Sequence, residues 1–277
     1  MMAIPVALTI AGSDPSGGAG IQADLKTFHQ RGVYGTSALT LLTVQNTQQV
    51  RSVEVLSAQI VAAQIDSILE DIPPGAAKTG ALGNLEIIRL VAEMARTFDF
   101  PLVVDPVMIS KHGQRLLAEN ARAAMKELLL PRAFLVTPNL HEAGELAGMR
   151  VHDLATMKEA AAKIASFGAQ SVLIKGGHLA EDATDVLYWN GAFTCYTSPR
   201  IHTSHTHGTG CTYSACITAE LAKGRGLPEA VGIAKKFITQ AIATNPGLGK
   251  GSGPVNHHAQ IDEQCLEYVS NIRRHTE

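Results

Sequence analysis

The segment His207-Gly208-Thr209-Gly210-Cys211-Thr212 stands immediately before a run with helical character. Glycines there let backbone N–H groups close around an anion, and the start of a helix adds partial positive charge. A thiol in the first turn of such a helix is expected to have a depressed pKa, which would make Cys211 a base or a phosphate-side contact. The plainer reading is a Gly/Thr turn that caps a helix, with Cys211 a small buried residue. A second segment, Gly12-Ser13-Asp14-Pro15-Ser16-Gly17-Gly18-Ala19-Gly20, could cradle a phosphate or let the backbone close over a flat ligand. No Gly-Lys-Ser/Thr ends it, so it is not a P-loop. As a dinucleotide-binding turn it would need an acid about 20 positions onward. Residues 35–53 contain neither Asp nor Glu.

Thr137-Pro138-Asn139-Leu140-His141-Glu142 follows a compact apolar run. Asn139 and Glu142 would share one face of a helical turn, and their hard oxygen atoms suit Mg²⁺. The same spacing is also an ordinary helix-capping arrangement. Asp105 ends another apolar run just before Pro106, as a carboxylate at a strand end or a turn-forming residue. Lys175, followed by Gly176-Gly177, could neutralise a transferring phosphate or simply face water. Gln45 closes a long apolar run and offers both a donor and an acceptor, which suits an aminopyrimidine edge. Together these supply an anion nest, a metal carboxylate, a lysine and a base, a set that phosphoryl transfer asks for.

Such residues need a scaffold that brings them to one place. Apolar runs at 5–11, 37–44, 76–79, 102–104, 134–136 and 172–174 read as strands. Helical spacing is found at 21–30, 57–69, 85–96, 117–129 and 155–167. Strands separated by helices of this length predict crossover units and a mostly parallel sheet. Asn190-Gly191, between the runs 186–189 and 192–196, predicts a type I′ β-hairpin at an antiparallel edge. Further helices are expected at 211–223, 228–243 and 258–273. No repeat or linker is visible, so a single domain is expected. Ligands of open α/β sheets gather at the carboxyl ends of strands, so the polar residues after each run are predicted to face the same edge.

The bulk properties exclude several classes of function. The 277 residues carry a net charge of -2, with 45% hydrophobic and 17% charged residues. That is ordinary globular composition, with no basic excess to attract nucleic acid or an anionic membrane. No run approaches the roughly 18 apolar residues of a membrane span. Residues 1–12 are apolar but lack a basic leader region, and they read as a first buried strand. Cys195, Cys211, Cys216 and Cys265 form no C-x-x-C pair or zinc spacing, and scattered thiols point to a reducing cytoplasm.

Taken in order, these motifs resemble those of hydroxymethylpyrimidine/phosphomethylpyrimidine kinases of thiamine biosynthesis, a branch of the ribokinase-like superfamily. The resemblance runs through Ala11 to Asp24, Lys78-Thr79-Gly80, Val103-Val104-Asp105-Pro106-Val107-Met108, Thr137 to Ala143, Lys175-Gly176-Gly177-His178, the Cys211 segment and Gly251 to His257. It implies a three-layer α/β/α fold, a mostly parallel central sheet, ATP and Mg²⁺ as cofactors, a small-molecule substrate and a homodimer. Gly208, Thr209, Gly210 and Cys211 would form the catalytic anion hole. Ribokinase-like sugar kinases usually carry an aspartate base where this chain has Cys211, and this branch typically has cysteine. Gln45, Gly12, Ala19, Asp24, Val107 and Ala81 would surround the pyrimidine. Lys175, Asn139 and Thr209 would contact ATP, and Glu142 and Asp105 would organise Mg²⁺ and its waters. Family members commonly carry methionine where Ala81 stands, so a wider pocket is expected here. A pyridoxine/pyridoxal kinase of the same branch is the near alternative. A nicotinamide-dependent oxidoreductase and a non-catalytic ligand-binding module are the remote ones.

Overall fold

The computed structural model describes residues 4–108, 119–177 and 182–261. Among them nine strands form one sheet in the order β3-β2-β1-β4-β5-β6-β7-β8-β9. The parallel core consists of β1 (Val6–Ser13), β2 (Tyr34–Gln45), β4 (Ala76–Thr79), β5 (Leu102–Val104), β6 (Leu135–Val136) and β7 (Ser171–Ile174). Side chains of these strands alternate between two cores, which is why they read as unbroken apolar runs. Ala76, Val103, Leu135 and Leu173 enter one core, and Ala77, Val104, Val136 and Ile174 enter the other.

Helices cover both faces. On one lie α1 (Gly20–Gln30), α7 (Thr209–Ala222) and α8 (Leu227–Ala243). On the other lie α2 (Ala58–Asp71), α3 (Leu85–Met94), α4 (Glu119–Ala124), α5 (Leu140–Ala147) and α6 (Leu154–Ala165). Local chemistry sets their starts: Ser57 and Asn84 accept from the N–H groups of Ile60 and Ile87, and Asp153 with Thr156 makes a capping box. Pro228 sits at a permitted first-turn position of α8. In α7 every residue from Thr212 to Leu221 is buried, because the helix is wedged between the sheet, α1 and α8. The expected α/β/α sandwich is what forms.

Both sheet edges are antiparallel. The hairpin of β8 (Ala183–Trp189) and β9 (Ala192–Ser198) turns at Asn190 (φ 51°) and Gly191 (φ 76°), as the type I′ signal predicts. At the other edge β3 (Val50–Val55), absent from the sequence reading, pairs antiparallel with β2. Three of its six residues are polar, so it gives no apolar run. In the sequence α5 shows only its capping pattern, Asn139 with Glu142, because the helix is just eight residues long. The helix at 85–96 ends at Met94 and tightens into a 3₁₀ turn over Ala95–Thr97, and the one at 117–129 passes into a π-helical turn over Met125–Leu129. The start of the latter, and nearly all of the helix expected at 258–273, lie outside the described residues.

Candidate active site

A cleft of about 1010 Å³ opens at the carboxyl ends of the parallel strands. All fourteen candidate positions line it. β1 and the turn after it bring Gly12 and Ala19, with Asp24 from α1; β2 ends in Gln45; Ala81 follows β4. Asp105 and Val107 follow β5, Asn139 and Glu142 follow β6, and Lys175 follows β7. Gly208, Thr209, Gly210 and Cys211 enter with the start of α7.

Gly208 decides how α7 begins. It has φ 77°, and a Cβ there would lie 1.7 Å from the carbonyl oxygen of Gly18. The two glycine-rich segments therefore touch backbone to backbone, which only glycine permits. The first N–H groups of a helix have no acceptor within it, so the start of α7 presents donors and the positive end of its dipole to the cleft. Opposite stands Lys175: a side chain built on Gly210 would be 3.3 Å from its Nζ. Lys175 Nζ donates to Asp105 Oδ1 at 3.1 Å, and Asp105 also accepts from Thr137 Oγ1 and from Ser214 Oγ of α7, each at 3.3 Å. Burial works against the Lys175 ammonium, yet Asp105 and Glu142 outweigh it and raise its pKa. The lysine is charged at neutral pH.

Asn139 and Glu142 form the capping box of α5: Glu142 N–H donates to Asn139 Oδ1 at 2.9 Å, and Asn139 N–H donates to Glu142 Oε2 at 2.8 Å. The capping reading of this pair is thus realised in the geometry. Burial pushes the Glu142 carboxyl up to about 7, with Lys175 opposing and Asp105 adding to it. A divalent cation would compete with that proton. Among the described residues no group of three or more His, Cys, Asp or Glu side chains could hold a metal. Two carboxylates, Asp105 and Glu142, lining one cleft fit Mg²⁺, which keeps waters and takes one or two protein carboxylates.

The depressed pKa expected for Cys211 is overturned. Burial pushes its thiol up to about 12; Lys78 opposes this, while Asp24 and Asp105 add to it. Lost hydration at the sulfur outweighs the favourable end of the helix. The thiol is therefore protonated at neutral pH. Alkylation of Cys211 by iodoacetamide, followed by peptide mass spectrometry, should accelerate steadily above pH 9; a plateau reached by pH 8 would show a standing thiolate instead.

Two buried polar pairs at the site have no counterpart in the sequence pattern. Lys78 Nζ meets Asp24 Oδ1 at 2.7 Å, with both side chains at 0% exposure, and Thr9 Oγ1 donates to Asp24 Oδ2 at 2.6 Å. Asp24 thus forms floor, with both oxygens engaged. Asp14 Oδ2 lies 2.7 Å from His207 Nε2 and accepts from Ala19 N–H at 2.8 Å, while its Oδ1 accepts from Ser16. Burial would raise the Asp14 carboxyl, but hydrogen bonds from His207, Gln45 and Ser16 outweigh it and hold it well below the usual carboxylate range. Asp14 and His207 are 193 positions apart, so no local spacing betrays their pairing.

Comparison with known proteins points to one family. A family model described as phosphomethylpyrimidine kinase matches residues 14–256. The hydroxymethylpyrimidine/phosphomethylpyrimidine kinase of Bacillus subtilis is 47% identical over 261 residues, covering 93% of this chain and 96% of the relative. A solved ADP complex of B. subtilis pyridoxal kinase superposes with a TM-score of 0.87 at 44% identity, covering 93% of this chain and 98% of that one. A phosphomethylpyrimidine kinase structure from Clostridium difficile does so with a TM-score of 0.77 at 44% identity, covering 86% and 99%.

Proposed function

From the premise that this chain belongs to the phosphomethylpyrimidine kinase family, we propose that its cleft carries two successive phosphoryl transfers in thiamine biosynthesis. ATP phosphorylates the hydroxymethyl group of 4-amino-5-hydroxymethyl-2-methylpyrimidine, and then the resulting monophosphate to the diphosphate. The observation that carries this reading is the shared cleft: the start of α7 opens onto the same space as Gln45, Glu142 and Lys175.

Each residue has a task in that reaction. Gln45, at the tip of β2, gives the ring a donor and an acceptor, with Gly12, Ala19, Val107 and Ala81 forming the walls beside it and Asp24 the floor. Asn139, Lys175 and Thr209 hold the ATP phosphates. Asp105 and Glu142 would hold Mg²⁺, which when bound neutralises charge on the phosphate oxygens. The acceptor oxygen attacks the γ-phosphorus while its bond to the bridging oxygen of ADP breaks. The N–H groups at Gly208, Gly210 and Cys211 stabilise the charge on the oxygens in transit, while the Thr209 N–H meets the Thr206 carbonyl at 3.3 Å and braces the turn. With the Cys211 thiol protonated, the proton of the acceptor hydroxyl passes to an oxygen of the arriving phosphoryl group. A loose transition state needs no strong base.

The test incubates the protein with ATP, Mg²⁺ and either the pyrimidine or pyridoxal, and resolves the products. Pyrimidine monophosphate should appear first and diphosphate later; turnover of pyridoxal with none of the pyrimidine would reverse the assignment. That second reading is favoured by one feature, the small Ala81 in the cleft wall. The nicotinamide and non-catalytic readings of the sequence give way to the kinase.

A homodimer belongs to the same proposal. Leu42 and Val44, on one face of β2, are 44% and 55% exposed and would meet a second copy. A cytoplasmic setting belongs to the proposal too, since the four cysteines are scattered as in chains of a reducing compartment; among the described residues no helix is long and apolar enough to cross a membrane.

A further inference from the structure

Asp185, on β8, is 2% exposed and lies outside the cleft lining. Its carboxylate nevertheless joins three separate parts of the chain. Oδ1 accepts the N–H of Gly176, the residue after Lys175, at 2.8 Å. Oδ2 accepts the hydroxyl of Tyr213 on α7 at 3.0 Å and the ammonium of Lys235 on α8 at 2.8 Å. Lys235 donates in addition to the Ala183 carbonyl at 2.7 Å, which ties the helix to the strand that carries Asp185. Burial, with Asp185 adding to it, keeps the Tyr213 hydroxyl protonated and therefore a donor.

We infer that Asp185 is a positioning residue for phosphoryl transfer, holding the Lys175-Gly176 peptide and the start of α7 at one fixed spacing. This rests on the reading of Lys175 as a phosphate contact given above. β7 ends at Ile174, and Lys175 N–H is taken by the Pro138 carbonyl. Gly176 N–H is the next donor, and Asp185 gives it a buried acceptor linked to α7 through Tyr213, two positions past Cys211. The Lys175 side chain meanwhile faces Gly210 across the cleft. The ammonium and the helix amides, which must reach the same phosphoryl oxygens, are thus spaced by a bracket behind the cleft wall. A carboxylate only accepts, so it can serve all three donors. An asparagine would turn an NH₂ toward at least one of them and release either the loop or the helix.

Two variants and a cycle test this. Asp185→Asn is expected to lower kcat about 10²-fold, since a misplacement near 1 Å costs that much. The KM of ATP should rise while the KM of the pyrimidine is unchanged. Tyr213→Phe cuts the link to α7 but leaves Gly176 and Lys235 bound to Asp185. It should cost about tenfold with the same split, and it carries the test if Asp185→Asn does not fold. In a Lys175→Met background, Asp185→Asn should cost little more, because the bracket then has no ammonium to place. Unchanged kcat per folded molecule and unchanged KM of ATP in both single variants, with only the Tm lowered, would overturn the inference. So would additive losses in the cycle. Wild-type turnover in Lys175→Met alone would instead remove the underlying reading of Lys175, and this inference with it.

Discussion

Replacing Gly208 with alanine is expected to lower kcat about 10³-fold, the upper end of what losing an oxyanion donor costs, in a protein that still folds. Gly208 holds φ 77°, and the added Cβ would lie 1.7 Å from the Gly18 carbonyl oxygen. That clash is with backbone, which no side-chain rotation relieves. Either the start of α7 swings away or the turn between β1 and α1 retreats, and both segments line the cleft. The amides would then miss the phosphoryl oxygens by a distance that electrostatic stabilisation does not tolerate. Most of α7 is buried well below this point, so the fold itself is spared. Steady-state kinetics with ATP and the pyrimidine, beside far-UV circular dichroism, reads both halves of the expectation. Activity within tenfold of wild type would place the transferring phosphorus elsewhere.

The largest effect on stability is expected from Lys78→Met. Lys78 and Asp24 are both fully buried, 2.7 Å apart. Removing one partner of a buried pair leaves an uncompensated charge and costs about 3–5 kcal/mol, or on the order of 10 °C in Tm for a chain of this size. Burial already pushes the Asp24 carboxyl up, with Lys78 opposing. Without Lys78 it rises further, and folded Asp24 takes a proton that the unfolded chain binds only at lower pH. The deficit should therefore be small in acid and grow as pH rises through the folded-state value. Calorimetry at pH 5 and pH 8 measures it. Asp24→Leu/Lys78→Met, with no charge left to strand, should recover most of the loss. A pH-independent deficit in the single variant would mean that Asp24 is not the group responsible.

The sequence carried the residues of the cleft and the β8–β9 edge further than it carried the opposite edge of the sheet. Asp105, Glu142 and Lys175 each follow an apolar run, and the rule that ligands collect at strand ends was enough to bring them together. α7 was legible from its glycines, because a backbone contact as close as the one at Gly208 excludes every other residue. β3 was not legible, because half its residues are polar and its partner lies on only one side. The Cys211 pKa was misjudged for a related reason. A helix start is visible in sequence, whereas the burial that opposes it comes from distant segments. The same holds for Asp14 with His207 and for Asp185 with Tyr213, whose partners meet only after the sheet has formed.

The antiparallel ribbon of β2 and β3 has an evolutionary consequence. Gln45 sits at the outer tip of that ribbon, beyond the register shift between Val44 and Gln45, whereas the residues proposed to move phosphorus are anchored in the middle strands and α7. On the proposed reading, the hydrogen bonds that Gln45 offers the ring and the amides that meet the phosphoryl group are thus carried on separate pieces. Drift at the ribbon tip or at Ala81 is then expected to alter which ring is taken, while a change at the α7 entrance is expected to halt transfer to every acceptor alike.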